Sequence, residues 1–344
     1  MAAVSDISNG IANGSLSGRE DYLLATVIWL CVFEKSRGER HEHSAIHAAA
    51  LCKILLLRQP FDPRHAATAE LIWERMCVES YIYHSAVTTL FDSRPDLIDD
   101  TLAVLEKFQR NVSVSPSAID DQETAMSIQS STIQSPLLGA PYHIFVALMQ
   151  GIRLFRIGNT DSINNNMVAW SCYYHVSKAQ SSLGPVCQHY EDPRRWIGKL
   201  YATAIRLLFL QLIPSHGVGW EIETSYLSRY TEITRTINEV RELLITTECD
   251  IEKTWGKFFL WPLAVIGALV CEKSDIILVR SWLDRVARKS ANSSVLIIKE
   301  VLEKVIWQNC SDMLPASSPP FYPPGLSIML DTNIMNNIAA RLLA

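Results

Sequence analysis

The sequence predicts an all-α fold, a single large array of about 10–13 helices joined by irregular loops. Three observations point there. Apolar residues recur at three- and four-residue steps through most of the 344 residues, the period of an amphipathic helix. Glycine (14) and proline (15) are sparse and fall mostly between the apolar stretches. Convincing strands are missing: Val295–Ile298 is rich in β-branched residues but leads directly into the helical pattern Val301, Leu302, Val305. With 48% hydrophobic and 19% charged residues, the chain is too apolar for a disordered protein and too interrupted for a membrane protein.

Residues 1–19 read as a flexible tail, because Met1–Gly18 is small and polar. A helical domain follows over 20–310. Asp62-Pro63 is expected to open a helix through Leu71, Trp73, Val78 and Tyr81 to about Phe91. Ser93 with Pro95, and Ser135-Pro136, mark two more starts, the latter for a helix carrying Leu137, Phe145, Leu148, Ile152 and Phe155. Between them Asn111–Ser135, rich in Ser, Thr and Gln, reads as a long loop or a weak helix. Leu227, Tyr230, Ile233, Ile237, Val240 and Leu244 form the clearest buried stripe, more in keeping with an ordinary core face than with a coiled coil. Residues 311–344 close the chain as a connector and a terminal helix. Leu314–Gly325 carries five prolines and Leu326–Leu343 is the last short helix.

The formal net charge is −5, and Arg37–Arg40, Arg194–Arg195 and Arg285–Lys289 are short and far apart. Autonomous DNA binding rests on a positive surface that displaces phosphate counterions, and none of these runs supplies one. The longest apolar run, Phe258–Cys271, is shorter than the roughly 20 residues that span a bilayer. The amino terminus has no basic and apolar succession of a secretion signal. The eight cysteines are scattered singly, as expected of reduced thiols. The Asn-x-Ser matches at Asn13, Asn111, Asn292 and Asn309 carry no weight without a secretory route.

Reactive constellations are sought at four places. His43 and His47, beside His41 and Glu42, share one face of a helix, as a zinc site requires. A third ligand and the H-E-x-x-H order are missing, so a half-buried helix start is favoured over metal. Tyr174 and Lys178 have the Y-x-x-x-K spacing of short-chain dehydrogenases, but no glycine-rich nucleotide turn precedes them. They read as the polar edge of a helix carrying Trp170, Tyr173 and Val176. Asp99-Asp100 and Asp120-Asp121 suit helix starts. Asp96-Leu-Ile-Asp-Asp100 approaches a magnesium motif without a second acidic motif downstream. No catalytic, cofactor-binding or metal-ligating residue is therefore assigned, and no cofactor is expected.

Four stretches together resemble the fungal-specific transcription factor domain of zinc-cluster regulators. They are Asp21–Glu34 (DYLLATVIWLCVFE), Glu79–His84 (ESYIYH), Pro136–Pro141 (PLLGAP) running into His143–Leu148, and Phe258–Gly267 (FFLWPLAVIG). Ile276–Leu283 with Trp282, and Val301–Trp307, complete the order over about residues 20–310. Trp261-Pro262 is expected to kink an apolar helix, with Gly267 permitting close approach. The alternative is that the kink helps shape a small-molecule pocket.

The resemblance implies a nuclear transcriptional regulator, shared or not with the cytoplasm, controlling genes such as a secondary-metabolite cluster. The spacing of Cys31, Cys52, Cys77, Cys172, Cys187, Cys249, Cys271 and Cys310 does not match the family's zinc cluster. The chain is therefore expected not to read DNA unaided. Either it is a truncated gene product or it is a co-regulator acting through protein contacts with another regulator. Two further readings stand beside this one: a small-molecule-sensing regulatory fragment with a metabolite effector, and a helical enzyme such as a terpene-cyclase-like bundle. No membrane contact is expected.

Overall fold

The structure is a computed structural model that describes residues 9–10, 13–17, 20–37, 41–62, 65–113, 137–138, 142–157, 163–182, 193–212, 221–246, 256–289, 293–310 and 325–342. These form an all-helical array with no strand among them. The first four helices, α1 (Asp21–Arg37), α2 (His41–Leu57), α3 (Thr68–Thr88) and α4 (Pro95–Ser113), pack on one another. Next come α5 (Tyr142–Ile157), α6 (Ile163–Ser182), α7 (Pro193–Leu212) and α8 (Glu221–Thr246). A 3₁₀ turn (Gly256–Phe259) leads into α9 (Leu260–Leu269), followed by α10 (Lys273–Lys289) and α11 (Ser293–Val301). A π turn (Leu302–Ile306) and α12 (Trp307–Cys310) precede the final pair, α13 (Gly325–Met329) and α14 (Thr332–Leu342).

Two helices are buried over nearly all of their described side chains. Every residue of α9 is buried, as is every residue of α7 from Trp196 to Leu210. They pack on each other, and Tyr201 of α7 stacks on Trp261 of α9 with ring centroids 5.9 Å apart and planes 3° from parallel. The other elements surround this pair. α5, α6 and α8 lie against α7, while α3, α10, α11 and α13 lie against α9. Gly151 of α5 permits one of these approaches, since a Cβ there would sit 2.8 Å from Leu208 Cδ2.

Three tryptophans tie the second half together through their indole N–H groups. Trp196 of α7 donates to the carbonyl of Leu243 and Trp282 of α10 to that of Leu244, each at 3.0 Å. Both carbonyls lie in the last turn of α8, where no intrahelical amide remains to bond them. Trp196 and Trp282 stack with centroids 5.3 Å apart, and Phe259 meets both edge-on. Trp307 of α12 donates to Gly267 O of α9 at 2.9 Å.

Several helix starts differ from the sequence expectation. The helix assigned to Pro63 begins at Thr68, because Asp62 first closes a turn: its carbonyl accepts from the amides of His65 and Ala66. Glu70 then caps α3 by accepting from the Ala67 amide at 2.8 Å. α4 does open at Pro95, which supplies the fixed φ of a first helical position. α5 begins at Tyr142, just past Pro141, and not near Pro136.

Pro262 lies in the first turn of α9, where a missing N–H costs little; the change of helix type falls upstream, between Phe259 and Leu260. The terminal helix is two helices. Asp331 breaks it and caps the second by accepting from the amides of Asn333 (2.9 Å) and Ile334. In the stripe on α8, Ile233, Val240 and Leu244 are buried and Ile237 is half-buried. The side chains of Leu227 and Tyr230, and the segments 114–136 and 311–324, lie outside the described residues.

Trp196→Ala removes one of the α8 bonds and the aromatic stacking together. It is expected to lower the unfolding free energy by about 3–5 kcal/mol in a urea titration. Trp196→Phe is expected to lose less.

Candidate functional site

The polar side chains that sequence reading passed over converge on α7. Lys199, Thr203 and Arg206 recur at four and three residues, so they share one face, and that face is buried. The α6 and α8 helices supply its partners. Arg206 Nη1 donates to Gln180 Oε1 (2.7 Å) and Glu239 Oε2 (2.8 Å), and Nη2 donates to Glu232 Oε1 (2.5 Å). Tyr173 OH donates to the same Glu232 oxygen at 2.5 Å. Gln180 Nε2 donates to Thr203 Oγ1 at 3.1 Å. On the outer side Arg235 bridges Glu232 and Glu239.

Burial alone would raise the Glu232 carboxyl, but hydrogen bonds from Arg235, Tyr173 and Arg206 outweigh it and bring it down to about 2. Arg206 is held above its usual range despite burial, first by Glu239. With both arginines matched to both glutamates, the cluster locks three helices together.

A second buried carboxylate explains two of the resembling stretches. Glu79 Oε2 accepts from the backbone amides of Leu137 (2.8 Å) and Leu138 (3.1 Å), and Arg75 Nε donates to its other oxygen at 3.1 Å. The first residue of the E-S-x-x-Y stretch thus anchors the P-L-L-G stretch, 58 residues on. This tether occupies Leu137 and Leu138 in a loop, which is why α5 starts later than Pro136 suggests. Two residues on, Tyr81 OH bonds Thr101 Oγ1 of α4 at 2.9 Å.

The residues weighed for chemistry are dispersed. α2 does begin at His41, and His47 is half-buried, while the side chains of His41 and His43 lie outside the described residues. No three His, Cys, Asp or Glu side chains gather to hold a metal among the described residues. Tyr174 and Lys178 are both exposed on α6. The buried seam of that helix is Ala169, Cys172, Val176 and Ala179, with Tyr173 half-buried, so Trp170 faces outward and not into the core as its company suggested.

Asp99 pairs with Arg153 at 3.3 Å and Asp92 with Arg94 at 2.6 Å, while Asp96 is exposed and Asp100 half-buried. Asp120-Asp121 lies outside the described residues. Cys52 and Cys77 are buried thiols, raised to about 11 and about 12 by desolvation. Of the basic runs, the side chains of Arg37–Arg40 and Arg194–Arg195 are outside the described residues. Arg285 lies over the Trp282 ring at 4.2 Å. Nearby, Lys299 pairs with Asp284 (2.5 Å) and Arg280 with Glu303 (2.8 Å).

The outer surface offers aromatic side chains instead. α1 is apolar almost all round from Tyr22 to Phe33. Its inner face of Leu23, Leu24, Val27 and Cys31 is buried. Its outer face leaves Tyr22 58%, Trp29 71% and Phe33 49% exposed. On α6, Met167, Trp170 and Tyr174 form a second such face, at steps of three and four residues. Large apolar side chains clustered in water mark contact surfaces, and Trp and Tyr are the residues that anchor them.

Glu79→Ala should cost about 3–5 kcal/mol of stability and remove hydrogen-exchange protection at Leu137 and Leu138, because it strands Arg75 and two backbone amides. Glu232→Gln should destabilise the protein at neutral pH. The folded carboxyl titrates near 2 and an ordinary one at 4.5, so its contribution is complete above about pH 5 and fades as pH falls through that window. Urea midpoints of the variant and the parent should therefore draw together between pH 5 and pH 2.

Comparison with curated proteins and with solved structures returns no match. Among families, the profile described as "Fungal specific transcription factor domain" matches residues 2–312, most of the chain and all four resembling stretches. This chain belongs to the fungal specific transcription factor domain family, and its place is among transcriptional regulators.

Proposed function

We propose that this chain regulates transcription in the nucleus through contacts with other proteins, without reading DNA itself and without catalysing a reaction. The single observation that carries the reading is the outer face of α1, where Tyr22 and Trp29 are more than half exposed on a helix that is apolar almost all round. A helix of that composition is ordinarily enclosed, and here one side lacks cover from the described residues. The rest of the surface fits the same reading. The net charge of −5 opposes phosphate binding, and Arg280 and Lys299 are engaged with acids of the same fold.

The partner suited to this face is another transcription regulator presenting an apolar helix or strand edge. Within the proposal, residues 20–310 are the regulatory unit, 1–19 a tail, and 311–344 a connector with terminal helices. Control of a secondary-metabolite gene cluster is the target set that the resemblance implies.

The test fuses the chain to a heterologous DNA-binding domain and reads a reporter in a fungal host. Trp29→Glu and Trp170→Glu should preserve the helical spectrum and melting behaviour of the purified protein. Trp29→Glu should cut reporter response at least about tenfold, as loss of a central aromatic anchor does. An unchanged response for both variants, or retardation of promoter DNA by the purified chain at low salt, would overturn the reading.

A further inference from the structure

The last two helices stand outside the family match, which ends at residue 312, yet they are built into the core. α13 lies against α9 and the π turn, and α14 lies against α11. Gly325 makes the closest approach: a Cβ there would sit 2.1 Å from the carbonyl oxygen of Ala268 and 2.9 Å from Ile306 Cγ2. Leu326 and Met329 of the first helix are buried with Leu330 just after it, as are Met335, Ile338 and Ala339 of the second. Each set is spaced at three and four residues, the anchor pattern of a helix laid in an apolar groove. Asn336 Nδ2 adds one hydrogen bond at 2.9 Å to Phe91 O, just past the end of α3.

The mode of attachment is that of a bound peptide. Among the described residues no ion pair joins 325–342 to the rest. Two of the six buried anchors are methionines, whose unbranched thioethers fit surfaces that accept more than one ligand. The groove includes the π turn 302–306, a helix form that is rare and recurs at functional positions. Residues 311–324 connect the pair to α12, and 14 residues reach up to about 45 Å when extended, so the helices can leave their seat without leaving the molecule.

We propose that α13 and α14 fill in cis a helix-binding groove formed by α9, α11, the π turn and the Phe91 corner, and that an amphipathic helix of a partner protein with the same anchor spacing displaces them. The tail is then an internal competitor that sets how readily the partner binds. This groove is separate from the outer face of α1, so either assignment stands if the other fails.

The experiment uses the full chain with a site-specific protease sequence placed within 311–324, cleaved after folding. The probe is a fluorescent peptide of residues 325–344. It should enter the cleaved protein saturably and be displaced by unlabelled peptide, while the far-ultraviolet spectrum and cooperative melting persist. Peptides carrying Met329→Asp or Met335→Asp should bind at least about tenfold more weakly, because each places a charge in an apolar seat.

Gly325→Val in the uncleaved chain should remove hydrogen-exchange protection from 325–342 while α7 and α9 keep theirs. Failure of the peptide to exchange over a day, or loss of protection throughout α7, α9 and α11 on cleavage or in Gly325→Val, would overturn the proposal and make the pair an ordinary part of the core.

Discussion

The fold is organised around α7 and α9, whose described side chains are almost all buried. A helix surrounded on all sides needs neighbours all round it, and the stacked pair Tyr201 and Trp261 marks where the two enclosed helices meet. α9 needs only apolar cover, which α3, α10, α11 and α13 give it. α7 is different because Lys199, Thr203 and Arg206 come inside with it. A buried guanidinium is tolerated only beside matched anions, so α8 must present Glu232 and Glu239 at the right height. Arg235 then neutralises the second charge of that pair. The charges fix how three helices sit relative to one another, where apolar contacts alone would leave sliding freedom.

The resembling stretches have structural causes of the same kind. Glu79 holds the amides of Leu137 and Leu138, so the acid of one stretch and the loop of another form one device. Tyr81 ties the same helix to α4 through Thr101. Trp282 and Trp307 of the later stretches bond carbonyls that α8 and α9 would otherwise leave unpaired in the interior. Glu79 and Tyr81 thus spend their polar atoms on holding neighbouring segments in place. A fold built this way holds its shape and leaves interaction to its periphery.

The periphery is unequal in character. α1 and α6 turn aromatic and thioether side chains outward, while α4, α10 and α11 turn out charges that include Asp99, paired with Arg153, and Asp284, paired with Lys299. The carboxy-terminal pair uses the same apolar chemistry inward, against a groove of its own chain. Binding one's own tail and binding a foreign helix draw on the same physical resource, apolar area at helical spacing.

The sequence by itself determined the helical class, the place of α4 behind Pro95, the burial of Ile233, Val240 and Leu244 on α8 and the apolar character of α9. All of these follow from period and from proline, which act within one or two turns. The tertiary structure decided which side of each helix faces water. Lys199, Thr203 and Arg206 have the spacing of a solvated face and are buried, whereas Trp170 has the character of a core residue and is exposed. Likewise α5 could not be started correctly from Pro136 alone, because what holds Leu137 out of the helix is a carboxylate 58 residues away. Local chain chemistry sets where a helix can form. Its orientation depends on partners distant in sequence, and no local pattern encodes them.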